Sequence, residues 1–587
     1  MRDRWLIAGG GAVALLLAGL LAYVTVFPHW AAAALGELAR QHLGRSFEAG
    51  GTHLDFSPLA IRIDHPRLSA GGEAGESLVS ATSLIIPVTF NQLLSRQPGL
   101  STLTLEEAEI ALLIDERGEA SWDFAGAAVA GPAKILLERA TVRFFDARNG
   151  QSLSLAAVTG LLELRADGGL AFNGSAVINS QLVRIDADLK SLSRVNGDGS
   201  PLDVVLSADV GAASFSGRLS TDRALSLAGP VSLSGTASPE LMRFLGLPAT
   251  AAAGGSVPLA IDAGLDSAGR AYALRKAVLT LGQFRGAGDI TLDLRDERPM
   301  LQVNLKSSAL SLESLIPASG AAAGEWGRQP ISFGVLNGFD AEIALLAEKL
   351  SYRGFTATGA QLALSLKDGN LSTFGVAQPA GGGAVRFTFD AASVTLPPRL
   401  SLSIAAENVS AQPLLAALTG IGEISGSGSF SAELSAEGTT QEEMIGTLRG
   451  KARLALADGA IAKIDLPGLF AAVREKILDG WPDAAGAAAF KSLSAEVAIA
   501  DGEAGIKTLN MVSAERDVSV TGAVDLLRRA LGVSVVAFQG NEPVLPVPVV
   551  IDGFWNKPRI YPDVLDILKD PAAGFARLKE LSPAPGN

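Results

Sequence analysis

Beyond Gly44 the chain alternates apolar and polar residues with period two. Val183, Ile185, Ala187 and Leu189 are separated by Arg184, Asp186 and Asp188. Leu202, Val204, Leu206, Ala208 and Val210 repeat the pattern, as do Ile290, Leu292 and Leu294, and Leu362, Leu364 and Leu366. Earlier, Leu103 and Leu105 begin one run, and Ile110, Leu112 and Ile114 form the next. Successive side chains of an extended chain point to opposite faces, so each run predicts a strand with one apolar and one polar face. Asn149-Gly150, Asp167-Gly168, Asn173-Gly174, Asp368-Gly369, Asp458-Gly459 and Asp501-Gly502 tolerate positive φ and predict tight hairpin turns between such strands. The expected fold is mainly β with a few helices, built as a long series of antiparallel hairpins.

Helical spacing interrupts this pattern in a few places. Leu35, Leu38 and Leu43 predict a helix from about Pro28 to Leu43, ended by Gly44. Asp465 can cap a helix running to about Asp479, with Leu466, Leu469, Phe470, Val473 and Ile477 on one face and Pro482 just beyond. Such a stripe is read as docked on the sheet. A shorter helix fits Ala411 to Leu418. The tail after Pro562 carries Val564, Ile567, Leu568, Phe575 and Leu578, and whether it docks, stays free or binds a partner is open. Ala249–Gly255 and Ala318–Gly324 read as linkers.

The N-terminus sets the compartment. Trp5 to Phe27 contains no charged residue. Roughly 23 residues at ~1.5 Å each give ~35 Å of helix, enough to cross a bilayer core. Arg2 and Arg4 precede the span and place the N-terminus in the cytoplasm. Ala31-Ala32-Ala33 offers a rival reading as a cleaved leader, but apolar leader cores run about 7–15 residues, which favours an uncleaved anchor. The expected organisation is an anchor at 1–27, an N-terminal β-rich region at 28–320, a C-terminal β-rich region at 321–562, and a tail at 563–587.

Composition narrows the chemistry. Hydrophobic residues make up 48% of the 587, yet aromatics only 6%, so the apolar content is mostly aliphatic. Such a chain buries a large core or keeps apolar surface for a ligand. A net charge of −13 excludes the basic footprint of a nucleic-acid binder. The absence of cysteine excludes disulfides, thiol catalysis and cysteine-ligated metals. His29, His42, His53 and His65 form no pair at metal-ligand spacing. No nucleophile elbow or phosphate-binding glycine loop occurs. The glycines at Gly381-Gly382-Gly383 and Gly422–Gly428 lack the strand–loop–helix setting of a phosphate site and read as turns or bulges. Carboxylates mostly alternate with apolar residues, as on a solvated outer face. No catalytic residue, metal or cofactor is assigned.

Several motifs resemble the AsmA family. Leu103 to Asp115, then Gly118 and Ser121-Trp122-Asp123-Phe124, resembles the family's strand and following turn, with Ser121 where Asn is usual. Ile135 to Asp146 is similar to its next strand, which ends in an aromatic–Asp pair. In the C-terminal half, Asn408 to Leu415, Gly420, Ile424 to Gly428, Gly438, Leu448-Arg449-Gly450 and Asp458 to Leu466 follow in the family's order, with Lys463 where Gly is frequent. Gly522 to Leu526, Pro546 to Gly553, Asn556-Lys557-Pro558 and Pro562-Asp563 close the series.

The resemblance implies an elongated, curved antiparallel β-structure with a taco-like apolar groove, akin to bridge-like lipid-transfer proteins of the TamB and chorein type. It implies a single-pass protein of the bacterial inner membrane, held by residues 5–27, with its bulk in the periplasm of the cell envelope. The implied partner is phospholipid, and the implied role is lipid transport and outer-membrane biogenesis. The alternative is a scaffold for outer-membrane protein assembly, with outer-membrane proteins or lipid as partners. Neither role is enzymatic. On the groove reading the lining comes from alternating positions: Leu112, Ile114, Val183, Ile185, Val204, Leu206, Leu292, Leu294, Leu362 and Leu364. The same alternation fits an ordinary sandwich core, because it marks an apolar face without saying what covers it.

Overall fold

The computed structural model describes residues 29–30, 32–37, 39–70, 77–95, 102–122, 133–244, 257–314, 326–475, 478–481, 486–514, 516–539, 542–543 and 548–563. The expected anchor at 5–27, both expected linkers, the boundary at 320 and the tail from 564 lie outside them. Among the described residues no helix is long and apolar enough to cross a membrane. The chain forms two compact units: Met1–Leu281 with Thr291–Arg295, and Gly282–Ile290 with Asp296–Asn587.

The first unit opens with short strands: β1 (Phe47–Glu48), β2 (Thr52–Phe56), β3 (Leu59–Asp64), β4 (Arg67–Ser69), β5 (Ser77–Ser80), β6 (Ser83–Pro87), β7 (Thr102–Glu106) and β8 (Glu109–Ile114). Longer ones follow: β9 (Ala133–Asp146), β10 (Gln151–Leu164), β11 (Leu170–Ile178), β12 (Gln181–Leu189), β13 (Ser200–Ala208), β14 (Gly211–Ser220), β15 (Ser226–Ala237), β16 (Val257–Ala268) and β17 (Ala271–Leu281). From β9 to β17 each strand pairs antiparallel with the next, as the hairpin pattern predicts. β7 and β8, by contrast, both run parallel to β9.

A crease crosses these strands. Glu107, Arg139 and Ala157 have φ of 50°, 54° and 48°, and the pairing of β9 with β10 slips beside Val158. Arg139 donates to Glu107 Oε1 at 2.8 Å, and its backbone N–H donates to Thr159 Oγ1 at 3.1 Å, which fixes the fold line. Beyond it, Ile110, Val142 and Leu155 share one apolar cluster with Val183, Ile185 and Leu206. The hairpin tip ends in a polar latch. Asp146 is fully buried and accepts from Arg148 Nε at 2.9 Å and Nη2 at 2.8 Å. Arg148 also donates to the carbonyls of Thr221 (2.8 Å) and Asp222 (2.5 Å), tying the tip to the loop after β14. Burial alone would push the Asp146 carboxyl up, but Arg148 and Asn149 outweigh it and hold the group below the usual carboxylate range.

β18 (Phe284–Asp293) lies at the division, and β19 (Met300–Ser311) follows it. The second unit continues with β20 (Asp340–Tyr352), β21 (Phe355–Lys367), β22 (Asn370–Pro379), β23 (Ala384–Ala392), β24 (Arg399–Ser410), β25 (Ser427–Glu437), β26 (Arg449–Ala462) and β27 (Leu478–Asp479). It ends with β28 (Ala487–Ala500), β29 (Glu503–Val512), β30 (Asp517–Asp525), β31 (Ala530–Gln539), β32 (Glu542–Pro543), β33 (Val549–Phe554) and β34 (Lys557–Pro562). β19 and β20 pair parallel. The described residues 326–339 ahead of β20 run along the strand ends. There Gly327 N donates to Gln441 at 2.8 Å, Ile331 N to the Thr439 carbonyl at 2.8 Å, and Ser393 Oγ to Asn337 at 3.0 Å. Successive antiparallel pairs run from β20 to β26, then through β28, β29, β30, β31 and β33 to β34.

The helices cover strand ends. The helix Ala411–Thr419 stops where Gly420 turns left-handed (φ 81°). The helix Leu466–Glu475 is shorter than expected, because Leu478 and Asp479 leave it to pair with Ile560 and Arg559 as β27. Asp465 Oδ1 caps it, accepting from Gly468 N at 3.1 Å. Its Leu469, Phe470 and Val473 are buried with Leu415, Phe490, Met511, Val533 and Ile560, so the apolar stripe is docked on the sheet. In the first unit the helical residues 29–30, 32–37 and 39–43 include Ala32 and Leu35, which pack onto the cluster of Ile61, Ile63 and Ile86.

Not every expected turn is one. Asp368-Gly369 and Asp501-Gly502 do connect hairpins, with positive φ at both residues. Asn173-Gly174 instead lies inside β11, where a Cβ on Gly174 would sit 2.4 Å from the Thr159 carbonyl oxygen. That glycine is needed for close backbone approach, not for a turn. Gly459 likewise lies within β26, beneath the ring of Phe490.

Candidate functional site

Register converts the alternating positions into rows that cross the strands. In the first unit Ile185 faces Leu206, Leu206 faces Ala213, Ala213 faces Leu233, Leu233 faces Ile261, and Ile261 faces Leu279. A parallel row passes through Val204, Phe215, Val231 and Ala263. In the second unit Ile343, Leu364, Thr373, Phe389, Leu402 and Leu434 form one row. Leu345, Leu362, Gly375, Phe387, Ile404 and Ala432 form the next.

Burial divides these rows into two kinds of surface. Val183 and Ile185, 1% and 8% exposed, belong to the closed cluster under the creased hairpin. Ile114 is fully buried with Trp122 and Phe144, and Leu112 packs on that separate cluster. By contrast Val204, Leu206, Leu292, Leu294, Leu362 and Leu364 are only half-buried. So are Phe215, Leu233 and Ile261 in the first unit and Ile343, Leu345, Phe389, Leu402 and Leu434 in the second. The structure thus sets Leu206 opposite Ile185, and groups Leu362 and Leu364 with Leu345 and Ile343. It puts Leu112 and Ile114 elsewhere.

The row from Ile343 to Leu434 is half-buried throughout, whereas Ile404 and Ala432 of the next row are buried. Half-burial along a row is unusual for a sandwich core, where facing side chains exclude water from both layers. Apart from Thr373, the rows carry methyl, methylene and ring surface. Phe387, Phe389, Leu402 and Leu434 were absent from the sequence-derived lining. Their signal was the same period-two alternation, with Thr388 between the phenylalanines and Arg386 and Asp390 on either side.

The opposite face carries the charge. Asp188 accepts from Arg165 at 2.6 Å and lies 2.9 Å from Lys190, and these cations hold its carboxyl well below the usual range. Asp293 is lowered to about 2 by Arg295. Arg453–Glu496 and Lys451–Glu433 are cross-strand pairs of the same kind. These partly to fully exposed ion pairs keep the opposite face hydrated and contribute little stability each. Among the described residues no group of His, Asp and Glu could hold a metal ion. His53, 2.7 Å from Asp64, sits on an exposed edge.

Residues 281–509 match the model of the AsmA family. No curated protein and no solved structure matches the chain.

Proposed function

By its residues 281–509 this is an AsmA family protein, and from that premise we propose that it carries phospholipid on an apolar β-face towards the outer membrane. On this reading residues 5–27 anchor it in the inner membrane with the N-terminus in the cytoplasm, and the β-rich bulk lies in the periplasm. The observation that supports the reading is the half-buried apolar row, which repeats from strand to strand while the opposite face is charged.

Removing one CH₂ from water gains ~0.8 kcal/mol, so a sixteen-carbon chain gains on the order of 12 kcal/mol when covered. A row of similar aliphatic side chains offers this gain at every strand, with small differences between neighbouring positions. A lipid can then step along the face without returning its tails to water. The protein lowers a desolvation barrier and needs no reacting group, so the proposed role is non-catalytic.

The full chain, purified in a mild detergent, is expected to retain phospholipid in near-stoichiometric amount by native mass spectrometry. A folded sample free of lipid would mean that the apolar faces close on each other. The assembly-scaffold role would then take the place of lipid carriage.

A further inference from the structure

The turns that follow β30 and β33 and the segment ahead of β20 bring two tryptophans, Trp326 and Trp555, onto one cation, and Trp481, after β27, joins them through Trp555. Trp326 Nε1 donates to the Leu526 carbonyl at 3.0 Å, and Trp555 N donates to the Arg529 carbonyl at 3.0 Å. Trp481 Nε1 donates to the Trp555 carbonyl at 2.8 Å. The Arg529 guanidinium lies 4.2 Å from the Trp326 ring centre and 5.7 Å from that of Trp555. Its Nε is buried without a hydrogen-bond partner. Among the described residues no carboxylate pairs with it, although Arg528 has Asp525 at 3.5 Å and Lys557 has Asp479 at 3.1 Å.

A guanidinium stacked on indoles loses water from its faces but keeps its N–H edges. Those edges match the paired oxygens of a phosphate, and an unneutralised cation in a partly dry setting gains most from such an anion. The surroundings are apolar: Trp481, Phe554 and Leu527 are 46%, 64% and 39% exposed. Indole and aliphatic surface beside a cation suits the boundary between a lipid headgroup and its chains. We propose that Arg529, framed by Trp326 and Trp555, seats the phosphate of a phospholipid headgroup whose upper chains rest on Trp481, Phe554 and Leu527. The seat adds a headgroup contact to the lipid reading above and rests on that reading for the source of the phosphate.

The tryptophans report on their own site. The full chain in neutral detergent is titrated with dihexanoyl-phosphatidylglycerol, with dihexanoylglycerol and with inorganic phosphate, and intrinsic fluorescence is followed. Saturable quenching is expected with the phospholipid, with at least about tenfold weaker response to the other two. Arg529→Gln keeps a planar group for stacking but removes the charge, and should weaken phospholipid binding by about tenfold at an unchanged melting temperature. If Arg529→Gln melts early, Arg529→Lys is read instead, and a severalfold loss is expected because an ammonium cannot fork to two oxygens. Equal binding by inorganic phosphate would overturn the lipid source. Equal binding by dihexanoylglycerol, or unchanged affinity in the substituted protein that is read, would overturn the phosphate seat. Retention of lipid by the native chain together with such unchanged affinity would remove the seat alone and leave lipid carriage standing.

Discussion

Leu364→Asp combined with Leu402→Asp is expected to reduce retained phospholipid at least about tenfold while the protein stays folded. Both residues are half-buried and belong to one row, joined through Thr373 and Phe389. In the lipid-free protein each new carboxylate can stay hydrated, so the unfolding free energy should fall by only about 1–2 kcal/mol. In the loaded protein the carboxylates would have to lie against methylenes. Burying an ionised carboxylate costs several kcal/mol, and each 1.4 kcal/mol is tenfold in binding. Native mass spectrometry of lipid, with circular dichroism on the same sample, separates the two effects. Lipid retained at the native level in the folded variant would contradict an acyl chain on this row. The same charge at Ile185 would be a poor test, since that side chain sits in a closed cluster and would report on folding.

Arg148→Met is expected to destabilise the first unit by about 3–5 kcal/mol, because it leaves Asp146 buried without its cation. Methionine keeps the aliphatic stem, so the loss is mainly electrostatic. The pH dependence identifies the cause. With Arg148 present the folded-state value of Asp146 is lowered, so the pair's contribution is complete above the unfolded value near pH 4 and fades as pH falls through the lowered value. Without Arg148 burial raises the same carboxyl, and protonation relieves the stranded charge. Urea unfolding should therefore show a wide gap between native and variant at pH 7 that narrows towards pH 4. A gap that stays constant with pH would assign the loss to packing.

The faces of the strands were legible because alternation states which side is apolar. Val204, Leu206, Leu362 and Leu364 all lie on that side. The helices after Ser410 and Asp465 were legible for a local reason too, a stop at Gly420 and a cap at Asp465. What covers each face was not legible. Ile185 and Leu364 look alike in sequence, yet one is closed over by the creased hairpin and the other is half-open. The crease depends on positive φ at Glu107, Arg139 and Ala157, residue types that do not advertise it. The parallel pairing of β19 with β20 has no signal in either strand, because alternation states faces and not the direction of a neighbour. The Arg529 cluster joins residues about 200 positions apart, such as Trp326 and Leu526, and no local pattern marks it.

The most direct test places a photoreactive benzoylphenylalanine at Leu364 in one sample and at the neighbouring Ser365 in another. Position 364 lies on the half-buried apolar face and position 365 on the exposed one. Irradiation in cells followed by mass spectrometry should give a phospholipid adduct at 364 and none at 365. Equal adducts at both positions, or none at 364 in a folded protein, would contradict lipid carriage on the apolar face.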